Sequence, residues 1–179
     1  MQVGQPAPSF SSLAAFPEES PENAKKSVSL ADYRGKWLLF LWYPLDFTAV
    51  CPTELLAFSD RIEEFTESGC EILGASCDSV YTHRAWMRTP RESGGIAGVA
   101  FPILADITRR IAREWGVLIE DEGFPLRALF LLDPEGQIVH ATINASAVGR
   151  NVSEVLRTLA AFQSGGLCGS DWKPGDRNL

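Results

Sequence analysis

The chain has 179 residues, of which 45% are hydrophobic and 22% charged, a size and composition suited to one globular domain with a substantial core plus a tail. Its formal net charge of −7 argues against a surface for nucleic acid or anionic lipid, since both attract basic patches. No apolar run approaches the roughly 20 residues that span a bilayer, and Met1-Gln2-Val3-Gly4-Gln5-Pro6 lacks the basic-then-apolar pattern of a signal peptide, so the expected compartment is a reducing cytoplasm. Residues 11–28, with clusters of Ser, Pro and Glu, read as a loop or irregular hairpin. The apolar run 37–43 reads as a buried strand, followed by a short Pro-containing loop and an amphipathic helix over 52–66. Further strands are expected at 70–76, 101–104, 127–132 and 137–143, and further helices at 79–90, 107–115 and 151–163. Asp133-Pro134-Glu135-Gly136 is a turn signal that makes the last two strands a hairpin. Asn151 followed by Glu154 resembles a capping box opening the last helix. Strands alternating with helices and then a hairpin predict an α/β fold with a mixed central sheet. The expected division is a domain over 1–163 and a Gly-rich, polar, mobile tail over 164–179.

The four cysteines stand at 51, 70, 77 and 168 without a CxxC pair, so neither a zinc ribbon nor a dithiol motif is expected, and neither metal nor cofactor is called for. Cys70 and Cys77 flank the apolar Ile72-Leu73-Gly74-Ala75 and read as packing residues. Cys51 is different. It falls at the start of the helix expected over 52–66, beside Pro52, where proline is tolerated. A helix N-terminus carries partial positive charge and favours thiolate over thiol, so Cys51 is a candidate sulfur nucleophile.

Pro44, Thr48 and Cys51 form a Pro-x-x-x-Thr-x-x-Cys pattern that resembles the active-site motif of peroxiredoxins. The longer stretch from Asp46 to Glu54 is similar to the typical 2-Cys branch, which includes the peroxidase subunits of alkyl hydroperoxide reductases. The likeness continues through Asp78-Ser79, Thr82-His83, Ala85-Trp86, the run from Gly116 to Gly123, Arg127 to Gly136, Gly149-Arg150-Asn151, and Cys168 with Trp172-Lys173-Pro174-Gly175. The resemblance implies a thioredoxin-like fold and a thiol-dependent peroxidase that reduces hydrogen peroxide and organic hydroperoxides. It also implies a homodimer, assembling to a decamer, and a thioredoxin-like or flavoprotein disulfide reductase as electron donor.

Activating a thiol by about two pKa units takes roughly 2.7 kcal/mol, whereas a helix terminus supplies ~0.3–1 kcal/mol. A cation must supply the rest. Arg127 opens the otherwise apolar stretch Arg127-Ala128-Leu129-Phe130, a costly position unless the charge is paired, and the resemblance puts the family's active-site Arg there. Arg150 is the alternative. Thr48 is placed by the motif to accept from peroxide and donate to sulfur, Pro44 to shield the sulfur from water, and Glu54 to orient Arg127; N-cap and first-turn roles are the plainer readings of Thr48 and Glu54. Cys168 corresponds to the resolving thiol, which in the family comes from the other subunit and traps a Cys51 sulfenic acid as a disulfide.

Some residues depart from the family pattern. Cys168-Gly169-Ser170-Asp171-Trp172 stands in place of Cys-Pro-Ala-Asn-Trp, and Gly94-Gly95-Ile96-Ala97 in place of the Gly-Gly-Leu-Gly of overoxidation-sensitive members. The given sequence ends eleven residues after Cys168 without their terminal Tyr-Phe helix, so relative resistance to overoxidation is expected. Two other function classes fit parts of the chain. A Cys–His hydrolase would use His83 or His140, although either reads more simply as a surface or core histidine. A thioredoxin-fold chaperone or scaffold would act without Cys51.

Overall fold

The computed structural model describes residues 2–17 and 25–179. Its first hairpin pairs β1 (Ser11–Ala15) with β2 (Lys25–Ser29), so the irregular segment read from composition contains two ladder-bonded strands, with 18–24 lying outside the described residues. The apolar run becomes β3 (Trp37–Trp42) and the next becomes β4 (Cys70–Ser76). Then come β5 (Ile103–Ala105), the two-residue pair β6 (Leu118–Ile119) and β7 (Phe124–Pro125), and the hairpin β8 (Arg127–Leu132) and β9 (Ile138–Asn144). The seven-stranded sheet has the order β2-β1-β5-β4-β3-β8-β9. β3, β4 and β5 run parallel while the remaining pairings are antiparallel, which makes the mixed sheet expected.

β3 shows why this sheet is buried on both faces. Side chains alternate across a strand. Leu38, Phe40 and Trp42 therefore enter one core with Trp115, Ile111 and Phe130, and Leu39, Leu41 and Tyr43 enter the other with Phe58, Phe65 and Trp86. The helices α1 (Cys51–Ser59), α2 (Ile62–Glu67), α3 (Val80–Arg88) and α5 (Val152–Gln163) supply buried residues to the second core, and α4 (Arg110–Glu114) supplies them to the first. Among the described residues no helix is long and apolar enough to cross a membrane.

Several boundaries differ from expectation. The helix expected over 52–66 is two helices, because Arg61 leaves helical geometry at φ −118°, ψ 21° and turns its guanidinium to Glu64 and to Ser153 at the start of α5. No glycine or proline marks that break. α4 begins only at Arg110 because Arg109 is left-handed (φ 59°) and the Asp106 carboxylate, ahead of it, accepts from the Ala112 N–H at 2.7 Å. At α5, Asn151 caps the Glu154 N–H at 3.1 Å, but the Glu154 carboxylate is bound to Arg157 rather than closing a capping box. The tail is folded back on α5: Trp172 is buried and its carbonyl accepts from Arg157 at 2.9 Å.

Cys70 is buried and Cys77 half-buried, and burial pushes both thiols up to about 12, with Asp106 adding to the effect at Cys77. Both should therefore remain protonated at pH 8. Alkylation of the native protein with iodoacetamide at that pH, read by mass spectrometry, is expected to label half-buried Cys168 well ahead of Cys70 and Cys77 and to reach the latter two only after denaturation.

Candidate active site

β8 runs antiparallel to β3, with Leu38 opposite Leu132 and Leu41 opposite Leu129. This register sets the end of β3 beside the beginning of β8. The chain leaving β3 passes through the loop 43–50 into α1, whose first residue is Cys51, while β8 begins with Arg127. Strand pairing thus joins two residues separated by 76 positions.

Cys51 is fully buried. Its sulfur accepts from Arg127 Nη1 at 3.3 Å, and the same Nη1 donates to Glu54 Oε2 at 2.7 Å while Nε donates to the Ser146 carbonyl at 2.7 Å. Arg127 is 3% exposed, so it is no strand-edge surface residue. Glu54, one turn after Cys51, is equally buried and accepts from a second guanidinium as well. Arg150 donates through its backbone N–H and Nε to Oε1 at 2.8 and 2.7 Å, and through Nη2 to Oε2 at 3.0 Å. Its Nη1 donates to the carbonyls of Trp42 and Ala128 at 2.8 and 2.6 Å. Burial pushes the Arg150 guanidinium below its ordinary value, and the Glu54 bonds and charge act against that push. Two guanidiniums face one carboxylate, so one positive charge stays uncompensated, and Arg127 aims it at the sulfur. The 145–150 loop must approach Glu54 closely: a Cβ on Gly149 would stand 3.3 Å from Glu54 Cγ.

Pro44 is buried in the loop ahead of Cys51 and Thr48 is half-buried. The Thr48 hydroxyl donates to the Leu45 carbonyl at 3.0 Å, so its hydrogen is committed there and its lone pairs remain for accepting. Val50 occupies the N-cap of α1 without a side-chain bond, which removes the N-cap reading of Thr48. Between Asp46 and Thr48 the backbone of Phe47 is left-handed (φ 56°), a strain of roughly 1–2 kcal/mol for a residue with a Cβ.

The loop is anchored at Asp46. The Tyr43 hydroxyl donates to Asp46 Oδ1 at 2.7 Å, His83 Nδ1 donates to Oδ2 at 2.8 Å, and the Asp46 N–H donates to Asp78 Oδ2 at 3.0 Å. Burial raises the Asp46 carboxyl, with His83 pulling the other way. His83 is therefore a core histidine bonded to Asp46, and His140 pairs with Thr142 at 2.9 Å; the partner of the Cys51 sulfur is Arg127, an arrangement that offers a hydrolase no base.

The structure does not bring Cys168 to Cys51. Its sulfur lies against the Ala161 carbonyl (3.5 Å) and the Ser164 hydroxyl (3.4 Å) at the last turn of α5, whereas Arg150 and Asn151 stand at the first. Ala161 is ten residues past Asn151, roughly 15 Å at 1.5 Å per residue. Cys168 lines a cleft of about 440 Å³ with His140, Arg157 and Phe162. Both thiols are free. Among the described residues no group of three or more His, Cys, Asp or Glu side chains could hold a metal ion.

Asp46 is the member of this constellation left without a role in the sequence, and Arg150, there the alternative cation for the sulfur, instead binds Glu54. Arg150 had a signal, a cation between Gly149 and the helix cap Asn151; Asp46 and His83 are joined only by tertiary contact.

Residues 3–141 match the AhpC/TSA family. The chain is 47% identical over 182 residues to peroxiredoxin-2 of Macaca fascicularis, covering 99% of this chain and 89% of that protein. It is 46% identical over 177 residues to a putative peroxiredoxin in the rubredoxin operon of Clostridium pasteurianum, covering 99% and 98% of the two chains. The reduced 2-Cys peroxiredoxin of Plasmodium vivax superimposes with a TM-score of 0.94 at 39% identity, covering 99% of this chain and 92% of that one.

Proposed function

The chain belongs to the AhpC/TSA family of peroxiredoxins, and from that premise we propose that Cys51 is its peroxide-attacking thiol, Arg127, Thr48 and Pro44 shape the reaction there, and Cys168 resolves the product. The protein is a thiol-dependent peroxidase with a thioredoxin-like fold. The observation that carries the assignment is the buried Cys51 sulfur facing a guanidinium whose charge is not fully neutralised.

In the first step the Cys51 thiolate attacks the nearer oxygen of a hydroperoxide. The S–O bond forms as the O–O bond breaks, sulfur is oxidised to sulfenic acid, and the leaving alkoxide or hydroxide takes a proton to depart as alcohol or water. Full ionisation of a thiol multiplies its thiolate only about thirty-fold, so most of the acceleration must come from orienting and polarising the O–O bond. Arg127 supplies donors and charge where negative charge develops, and the Thr48 lone pairs accept from the peroxide proton. Glu54 and Arg150 are positioning residues that hold the Arg127 fork. Pro44 keeps water from the sulfur.

In the second step the Cys168 thiol of a partner subunit attacks the sulfenic sulfur, forming the Cys51–Cys168 disulfide and releasing water. Residues 1–163 serve as the peroxidase domain and 164–179 as the tail that delivers Cys168. The enzyme acts as a homodimer that assembles to a decamer, in a reducing cytoplasm. A thioredoxin-like or flavoprotein disulfide reductase, taking up the disulfide, completes the cycle.

The test is to titrate reduced protein with one equivalent of hydrogen peroxide and run it on a non-reducing gel. A disulfide-linked dimer is expected, with Cys51 and Cys168 identified in the cross-link by mass spectrometry. Cys168→Ser should consume one equivalent and then fail to recycle through dithiothreitol at the wild-type rate. A monomeric band carrying an internal disulfide would overturn the intersubunit scheme.

A further inference from the structure

We infer that the buried Tyr43–Asp46–His83 cluster is a latch that holds the Cys51 loop in its peroxide-reactive arrangement, and that its strength sets the partition between disulfide formation and overoxidation. The inference rests on the proposed roles of Cys51 and Cys168. A fully buried sulfur, bonded to Arg127 within its own chain, cannot meet a second thiol until the loop 43–50 and the first turn of α1 move outward. What opposes that movement is visible in the loop itself.

Asp46 is held by Tyr43, which follows β3 and donates its own N–H to the Ala75 carbonyl of β4 at 3.0 Å, by His83 on α3 and, through its backbone N–H, by Asp78 after β4. Asp78 Oδ2 also accepts from the Ser76 hydroxyl at 2.7 Å, so the third anchor is itself fixed. Next to these anchors stands Phe47 in its left-handed conformation, whose strain is relieved if the loop lets go. Strain and anchor at neighbouring residues make a segment with two arrangements, closed while Asp46 is held and open when it is released.

His83 carries a second mark of this role. Its Nδ1 stands 2.8 Å from the Asp46 carboxyl, and Nε2, on the far side of the ring, is buried without a partner. An unsatisfied buried nitrogen is unfavourable. What offsets it is the bond on the other side of the ring, to Asp46.

The two half-reactions depend on the latch in opposite senses. Peroxide reacts with the closed arrangement, where Arg127 faces the sulfur, and the resolving thiol reacts with the open one. Removing one buried hydrogen bond shifts such an equilibrium by about tenfold. His83→Ala should therefore speed disulfide formation by about tenfold, leave the peroxide step equal or slower, and lower the share of Cys51 sulfinic acid at a given peroxide concentration by a similar factor. His83→Asn, whose amide nitrogen can stand where Nδ1 stands, should restore the wild-type partition. A merely structural residue would slow both steps together when removed.

The experiment is rapid quenching of the full chain after mixing with hydrogen peroxide, with Cys51 quantified by mass spectrometry as thiol, trapped sulfenic acid, disulfide and sulfinic acid. Tyr43→Phe removes one hydroxyl without emptying the core, and it should move the partition in the same direction by a smaller factor; it decides the question if His83→Ala does not fold. A disulfide step that is unchanged or slower in the folded variants overturns the latch. Wild-type protein that ignores peroxide, or Cys51→Ser that still consumes it, would instead overturn the peroxidase assignment of Cys51, so the two failures are distinguishable.

Discussion

Cys51→Ser is expected to abolish peroxide consumption, to the level of protein-free buffer. A serine hydroxyl cannot be oxidised to the equivalent of a sulfenic acid, so the variant has nowhere to place the oxygen taken from the peroxide. The other thiols do not substitute. Cys70 and Cys77 are held protonated by burial, and Cys168 lies at the far end of α5 from Arg127. Cys70→Ser and Cys77→Ser should therefore keep most of the activity. The measurement is the rate of hydrogen peroxide loss with dithiothreitol as reductant, with circular dichroism to show that each variant is folded. Substantial turnover in Cys51→Ser would mean that another group is the nucleophile.

The second large effect is at Glu54. Its carboxylate is 3% exposed and is the shared partner of Arg127 and Arg150. Replacing a buried ion pair by apolar residues can be neutral, but removing one partner leaves a buried charge and costs about 3–5 kcal/mol. Glu54→Ala leaves two guanidiniums in that state, facing each other. In a chain of this size each kcal/mol moves Tm by about 2–4 °C, so a fall of roughly 10 °C or more is expected. Activity should also fall, because Arg127 loses the bond that fixes its fork. Arg127→Ala makes the contrast. It removes the donor on the sulfur yet leaves Glu54 paired with Arg150, one charge against one. Its peroxide step should slow by about 10²–10³, the usual consequence of losing one preorganised donor, while its Tm drops much less than that of Glu54→Ala. Thermal unfolding and the rate of the peroxide step, measured on both variants, check the ordering. Equal losses of stability would show that Arg150 alone does not satisfy Glu54.

The helix start at Cys51, the strands around it and the arginine at 127 could be read along the chain because each has a local signature. Those signatures are an unbroken apolar run over 37–43, a proline just inside a helix start, and an arginine at the head of the apolar β8. The hairpin turn at Asp133 to Gly136 was legible for the same reason. Helix interruption at Arg61 and the late start of α4 were not. Each results from a side chain bonding outside its own turn, Arg61 to Ser153 and Asp106 to the Ala112 N–H, against a sequence pattern that stays helical.

The site as a whole was decided by the tertiary structure. Glu54 and Arg150 are 96 residues apart, Asp46 and His83 are 37 apart, and no periodicity links either pair. They meet because β3 lies between β4 and β8, which brings the loop after β3 to the head of β8, the loop before α5, and the face of α3. Alone, the sequence determined that one cysteine stands at a helix start within a motif resembling that of the peroxiredoxins. The antiparallel register of β3 and β8 decided which charges surround it, because a buried ion needs a partner within hydrogen-bond reach and only the folded chain delivers one there.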